Sequence, residues 1–146
     1  PMGAIDRSFA TGERRMTSVP PFDAAALCEA FEHDLEMIQE LVALVVRDLP
    51  RYVQSLETAA DAGDLVTVGR AGHTIKGAVG NVCAGRLCDI AEGLEQAGRA
   101  QDGARVAALR PQLRSESQAL LAALSAWLER AASRDATSGT AVEVVR

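Results

Sequence analysis

A histidine and a lysine, one helical turn apart, lie in an unusual stretch of this chain. Residues 65–88 contain Arg70, Lys76 and Arg86 but no acid, whereas the rest of the chain contains all 20 acids. Neutral imidazole is a nucleophile near pH 7, since its reference pKa is about 6.5. An ammonium group one turn away can hold phosphoryl oxygens by charge-assisted hydrogen bonds. The pair His73 and Lys76 therefore predicts phosphoryl chemistry, and the cationic stretch predicts an anionic or acidic partner.

Glycines surround this histidine on the helical face opposite the apolar stripe. Steps of three and four residues place the following on that face: Gly69, Arg70, His73, Lys76, Gly77 and Gly80. A glycine inside a helix lowers stability by roughly 0.5–1 kcal/mol relative to alanine. Glycines at these positions therefore indicate a function that needs the absence of a side chain. Glycine one turn before and one turn after His73 leaves its ring clear. We therefore predict that the backbone of a partner protein approaches there.

The pattern of apolar residues predicts helices that position this face. Apolar steps of three and four residues over 35–60 indicate an amphipathic helix, which Pro50 must kink or split. Asp23 caps a short helix before it, Gly63 marks a turn, and Pro111 bends the last helix. The predicted helices cover residues 24–31, 35–60, 65–79, 84–100 and 104–131. Long helices joined by short turns predict an all-α fold, an up-and-down antiparallel four-helix bundle with an additional short N-terminal helix.

Composition at the two ends predicts the domain boundaries. Residues 1–21 are polar and end in two prolines, which indicates a flexible lead-in or a vector-derived remnant, and Met16 is a candidate for the natural first residue. Residues 22–131 form the predicted bundle domain. Residues 133–140 are small and polar, and we predict a disordered C-terminal tail over residues 132–146.

Bulk composition excludes several classes of function. The net charge is −5 and 3% of the residues are aromatic, so the chain lacks the basic stripe or stacking surface of nucleic-acid binding. No apolar run approaches the roughly 18 residues of a membrane span, so we predict no membrane contact. Three cysteines without metal-ligand spacing predict reduced thiols, no metal site and a cytoplasmic location. No helix has a second apolar face beyond the one that the bundle core needs, so the sequence gives no reason for a dimer. We therefore expect a monomer.

The segment from His73 to Val82, His-Thr-Ile-Lys-Gly-Ala-Val-Gly-Asn-Val, resembles the H-x-x-K-G signature of histidine-containing phosphotransfer (HPt) domains. The similarity covers about residues 22–130 and includes Asp48-Leu49-Pro50, Leu56, Ala62-Gly63-Asp64, Ala84, Leu87 and Leu94. In form the chain is similar to the HPt module at the C-terminus of hybrid sensor kinases. It departs from the family at Cys83, where glycine is common, and at Ala78-Val79, which bears on loop shape and partner fit.

The resemblance implies a phosphocarrier of two-component phosphorelays, not an enzyme with ATP-binding or autokinase activity of its own. His73 would accept a phosphoryl group from the aspartyl-phosphate of one receiver domain and pass it to the aspartate of another. Lys76 would stabilise the phosphoryl group. Gly77, together with Gly80 and Gly69, would give the partner access to the histidine.

The resemblance also implies the partners. These are receiver domains of a hybrid histidine kinase, of response regulators, or of both, and Arg70 and Arg86 would be docking or phosphate-steering cations. In the family, Mg²⁺ and the acidic catalytic residues belong to the receiver. No cofactor is therefore expected in this chain.

Two other classes are open on the residues alone. One is the dimerisation and phosphoacceptor domain of a histidine kinase, which has an acid directly after the histidine. This chain has Thr74 there and no glycine-rich ATP lid, which argues against autophosphorylation. The other is a helical adaptor that binds a receiver domain or signalling enzyme without phosphotransfer.

Overall fold

The computed structural model describes the backbone of residues 20–145 and the side chains of residues 20–134. The described backbone consists of helices joined by turns. In chain order the helices are α1 (Ala24–Ala30), α2 (Leu35–Asp61), α3 (Leu65–Gly80), α4 (Gly85–Arg99) and α5 (Gly103–Val145). The predicted all-α fold is therefore confirmed.

Four of these helices close into a bundle because each packs on two neighbours. Helix α3 packs on α2 and α4, and α5 packs on α2 and α4, whereas short α1 contacts α2. Short turns join consecutive helices, so neighbours along the chain run antiparallel. Fully buried side chains from all four fill the core: Ile38, Leu49, Leu56, Val68, Ile75, Leu87, Leu94, Leu113, Leu120 and Leu124. The predicted up-and-down bundle with a short N-terminal helix is confirmed.

Aspartate caps decide where most of the helices begin. An aspartate precedes each of α1, α2, α3 and α5, and its carboxylate accepts a hydrogen bond from a backbone N–H three residues later, at 3.0–3.2 Å. Such a cap satisfies one of the N–H groups that the first turn leaves unpaired. The bounds of α3, which carries His73, therefore follow from local sequence.

The structure differs from the sequence predictions in the continuity of two helices. Pro50 does not split α2, which is one helix from Leu35 to Asp61 with Pro50 at an exposed position inside it. Helix α5 continues to Val145, past the tail boundary predicted at residue 132. No proline follows Pro111 in α5, so no residue there forces the helix to end. Residues 1–19 of the predicted lead-in lie outside the described residues.

The turn between α3 and α4 contains a left-handed residue that is not glycine. Cys83 has a φ of +60°, and its carbonyl accepts a hydrogen bond of 3.0 Å from the N–H of Asp23. Its neighbours Val82 and Ala84 are buried. This turn therefore anchors the start of α1 to the bundle while holding a cysteine in a conformation that suits glycine.

We expect Cys83→Gly to raise the free energy of unfolding by about 1 kcal/mol, because glycine adopts positive φ without a Cβ clash. Urea unfolding followed by circular dichroism measures the change. Cys83→Ala is the matched control, since it removes the thiol but keeps the Cβ, and it should give no gain. An equal gain in both variants would assign the effect to the thiol and contradict this account.

Candidate functional site

His73 stands on the exposed side of α3 but is held at one ring nitrogen. Its side chain is 66% exposed. Its Nδ1 lies 2.9 Å from Oε2 of Glu95, a residue of the adjacent helix α4. The ring is therefore accessible to a partner while one edge is bound to the protein.

Glu95 is the centre of the site. Its side chain is only 4% exposed, and its two oxygens contact three donors. Oε1 lies 2.8 Å from Nζ of Lys76, and Oε2 lies 2.6 Å from a terminal guanidinium nitrogen of Arg99 as well as near the His73 ring. The predicted pair His73 and Lys76 is therefore brought together on one buried carboxylate.

Sequence reasoning did not identify Glu95 or Arg99. One feature of the sequence could have indicated Glu95: it is an acid on a helical face whose other residues are apolar or small. Its neighbours on that face, Ala91, Leu94 and Gly98, are all buried in the structure. A buried carboxylate needs partners, and two of its three partners, His73 and Lys76, lie on α3, with His73 22 residues away from Glu95. Single-sequence spacing within one helix does not reveal such a pair.

Glycines let α3 and α4 approach closely enough for this contact. A Cβ on Gly72 would lie 2.9 Å from the backbone of Ala91 and Glu95, and one on Gly98 would lie 2.5 Å from the backbone N of Gly69. Gly69 is itself buried in this crossing. The prediction that Gly69 gives a partner access is therefore wrong, because its bare side faces α4 and not solvent.

Gly77 and Gly80 lie where the sequence places them. Both are exposed, and a Cβ on either would meet no atom within 4 Å. The helix surface one turn beyond His73 is therefore open to another molecule.

A hollow of about 550 Å³ opens beside His73 between α3 and α4. Its lining consists of Val66, Gly69, Arg70, His73, Thr74, Gly98, Arg99 and Gln101. Arg70 of α3 and Arg99 of α4 thus line the hollow together with the imidazole. The predicted cation Arg70 lies at the site, and Arg99 joins it from α4.

Arg86 lies elsewhere. Its Nε is 3.2 Å from Oε1 of Glu116 on α5, and it lines a separate hollow between α4 and α5. The structure therefore does not bring Arg86 together with the histidine, because the first turn of α4 points that side chain towards α5. The acid-free sequence stretch is also not an isolated cationic patch, since Lys76 is paired with Glu95.

The ion pair between Lys76 and Glu95 shifts the pKa values of both groups. The hydrogen bond from Lys76 is the largest cause that lowers the pKa of Glu95, and His73 and Arg99 lower it further, outweighing the opposite effect of burial. The same hydrogen bond raises the pKa of Lys76 above its usual value. Both groups are therefore charged at neutral pH.

The lowered pKa of Glu95 predicts a loss of stability in acid. A carboxyl with a lowered folded-state pKa stabilises the fold above its unfolded-state pKa, about 4.5, and this contribution disappears as the pH falls through the lower folded value. We expect the free energy of unfolding to fall less between about pH 6 and pH 3 in Glu95→Gln than in the wild type. Urea unfolding at both pH values measures this. Glu40→Gln, at an exposed position of α2, is the control and should leave the difference unchanged.

The described residues give no direct sign of a metal site or a membrane span. Within residues 20–134, no three His, Cys, Asp or Glu side chains lie together so that they could hold a metal ion. No described helix is long and apolar enough to cross a bilayer.

Comparison with known proteins agrees with the fold. Residues 40–133 match the Hpt domain family. The structure is similar to histidine-containing phosphotransfer protein B (HptB) from Pseudomonas aeruginosa PAO1, with a TM-score of 0.71 and 26% sequence identity over 77% of this chain and 98% of that one. No curated protein is significantly similar to this chain in sequence.

The four-helix bundle is thus the fold of a histidine phosphotransfer domain. The chain belongs to the HPt family, since the family match covers more than half of it. Its role is histidine phosphotransfer in phosphorelays, and proteins of this family are phosphocarriers.

Proposed function

We propose that this protein carries a phosphoryl group on His73 between receiver domains. It accepts the group from the aspartyl-phosphate of one receiver and transfers it to the aspartate of another. The observation that carries the proposal is the imidazole itself, which is 66% exposed and bound through Nδ1 only, with an ammonium one turn away. A nucleophile in transfer between proteins must be accessible, and this ring is.

The chemistry is an exchange of one bond to phosphorus for another. The lone pair of a ring nitrogen attacks phosphorus, the bond from phosphorus to the receiver's carboxylate oxygen breaks, and the carboxylate leaves with the electron pair. Onward transfer runs the same step in reverse with a second receiver. Lys76 lies close enough to the ring, through its shared contact with Glu95, to stabilise the phosphoryl oxygens. We expect Mg²⁺ to be held by the receiver, so this chain needs no cofactor.

The partner's docking surface extends from α3 to α2. Helices α2 and α3 are antiparallel and joined by residues 62–64, so the second half of α3 lies beside the middle of α2. Leu44, close to that part of α2, is 46% exposed, and α3 presents the bare positions Gly77 and Gly80 nearby. An exposed apolar side chain beside an accessible backbone suits a protein partner. We propose that a receiver docks here.

The N-terminal end of the described chain adds no docking surface here, since Phe22 and Leu27 are buried in the core. The free thiols of Cys28, Cys83 and Cys88 agree with the proposed cytoplasmic location. We propose that the protein acts there as a monomer.

The experiment is phosphotransfer profiling. Each receiver domain of the source organism, loaded with labelled phosphate, is mixed with the protein, and the label on the protein is tested for the acid lability of a phosphoramidate. We expect rapid transfer from at least one receiver and no labelling by ATP alone. Binding to a receiver without any transfer would favour the helical adaptor, and labelling by ATP alone would favour a kinase domain.

A bulky residue at Gly77 should block docking. We expect Gly77→Leu to weaken receiver binding about tenfold or more, because the added side chain occupies the open surface next to His73. Titration calorimetry with the cognate receiver measures the affinity. Gly103→Leu is the matched control, since Gly103 is also exposed but begins α5 at the other end of α3. Equal affinity of Gly77→Leu and the wild type would contradict the docking surface.

A further inference from the structure

We propose that this protein also accepts a phosphoryl group directly from small acyl phosphates, which bind in the hollow between α3 and α4 beside His73. The inference rests on the proposed function only in taking His73 as the phosphoryl acceptor. It adds a second class of donor. An aspartyl-phosphate and a small acyl phosphate contain the same mixed anhydride bond, so the histidine that breaks the one can break the other.

The hollow has the size and the charge of a site for a small anion. Its volume is about 550 Å³, within the range of pockets that enclose small ligands. Of its eight described lining residues, two are arginines and none is acidic. Gly69 and Gly98 lie at the crossing of α3 and α4 and contribute only backbone to the lining. A small anion can therefore enter without meeting a carboxylate.

The two arginines have donors to spare for such an anion. Arg70 is exposed, and its guanidinium forms no hydrogen bond or ion pair within residues 20–134. Arg99 uses one terminal nitrogen to contact Glu95, at 2.6 Å, and its side chain is 72% exposed. A guanidinium has five N–H donors and binds phosphate oxygens by charge-assisted hydrogen bonds. Both arginines can therefore donate to a phosphoryl group that lies next to His73.

The rim of the hollow favours a ligand with a short apolar end. Val66 lies one turn before Arg70 on α3 and is 54% exposed. An anionic end between the arginines and an alkyl end on Val66 describe a short-chain acyl phosphate. A nucleotide fits less well, because the lining has no Phe, Tyr or Trp side chain on which a base could stack.

The reaction exchanges one bond to phosphorus for another without a partner protein. The lone pair of a ring nitrogen of His73 forms a bond to phosphorus, and the bond from phosphorus to the acyl oxygen breaks. The carboxylate leaves with the electron pair, and the ring keeps the proton on its other nitrogen. The products are phosphohistidine and a carboxylate anion. The guanidinium groups stabilise the negative charge on the phosphoryl and acyl oxygens during the step.

The test uses radiolabelled acetyl phosphate as the donor and the full chain without any receiver. Acid-labile label on the protein is measured as a function of acetyl phosphate concentration. We expect a rate that saturates, competition by inorganic phosphate, and no label in His73→Gln. We expect Arg70→Gln and Arg99→Gln each to slow labelling at low concentration about tenfold or more, chiefly by raising the half-saturating concentration.

The matched control is Arg130→Gln. Arg130 is also exposed, but it lies on α5 about 40 Å along the helix from Gly103, which begins α5 near the hollow. We expect its rate and half-saturating concentration to equal those of the wild type. Circular dichroism establishes that every variant is folded, and Arg70→Gln removes a side chain that holds no other described residue.

Two results would overturn the inference. One is a wild-type protein that accepts label from a phosphorylated receiver but none from acetyl phosphate, and this result leaves the proposed function intact. The other is label that forms without saturation and equally fast in Arg70→Gln and Arg99→Gln, because the exposed imidazole would then react without the hollow. Failure of the proposed function looks different. Acetyl phosphate would then label His73 with saturation, while no phosphorylated receiver would transfer its group.

Discussion

Replacing His73 with glutamine is expected to abolish phosphoryl uptake from a labelled receiver. Glutamine has a similar length and can still donate a hydrogen bond to Glu95, but its amide has no nucleophilic lone pair comparable to that of neutral imidazole. Because His73 is 66% exposed, its loss removes little packing, and the bundle should unfold at the same urea concentration as the wild type. The two results together separate loss of chemistry from loss of fold.

The second histidine provides the control. His33 is exposed in the turn between α1 and α2, so His33→Gln removes an imidazole from the protein without touching the site on α3. We expect full uptake in this variant. Uptake that persists in His73→Gln, or that is lost in His33→Gln, would show that His73 is not the acceptor.

A methyl group added at Gly98 is expected to have the largest effect on stability. The Cβ would lie 2.5 Å from the backbone N of Gly69, 2.7 Å from its Cα and 2.7 Å from the carbonyl oxygen of Leu65. These are backbone atoms, which cannot move aside as a flexible side chain can, so α3 and α4 must separate. We expect Gly98→Ala to lower the free energy of unfolding by about 2–3 kcal/mol, as measured by urea unfolding.

Gly77→Ala is the control of opposite sign. It makes the same substitution on α3, but no atom lies within 4 Å of the added Cβ. Alanine loses less backbone entropy on folding than glycine, so we expect Gly77→Ala to raise the free energy of unfolding by about 0.5–1 kcal/mol. Equal changes in the two variants would show that the close crossing of α3 and α4 does not require glycine.

The close crossing also links stability to chemistry. Gly98 lies between Glu95 and Arg99 on α4, and those two residues reach His73 only because α4 lies against α3. A separation of the helices at Gly98 should therefore lengthen the contact between Glu95 and His73. We expect Gly98→Ala to slow phosphotransfer as well, whereas Gly77→Ala should transfer at nearly the wild-type rate because alanine is small.

Local sequence determined much of this protein. Aspartates before α1, α2, α3 and α5 and apolar steps of three and four residues placed the helices within a few residues of their observed bounds, except at the end of α5. The spacing of His73, Lys76 and Gly77 within one helix indicated the chemistry and the family. These features could be predicted because each depends on residues only a few positions apart.

The packing of α3 on α4 decided the rest. It buried Gly69, which the helical pattern had placed on the exposed face, and it directed Arg86 towards α5 and away from the histidine. It also brought Glu95 and Arg99 to the site, although neither has a motif around it. A helix can present the same residues to a neighbour at many offsets and rotations. Only the tertiary contact, set by the volumes of the side chains and glycines between the two helices, selects which residues meet His73.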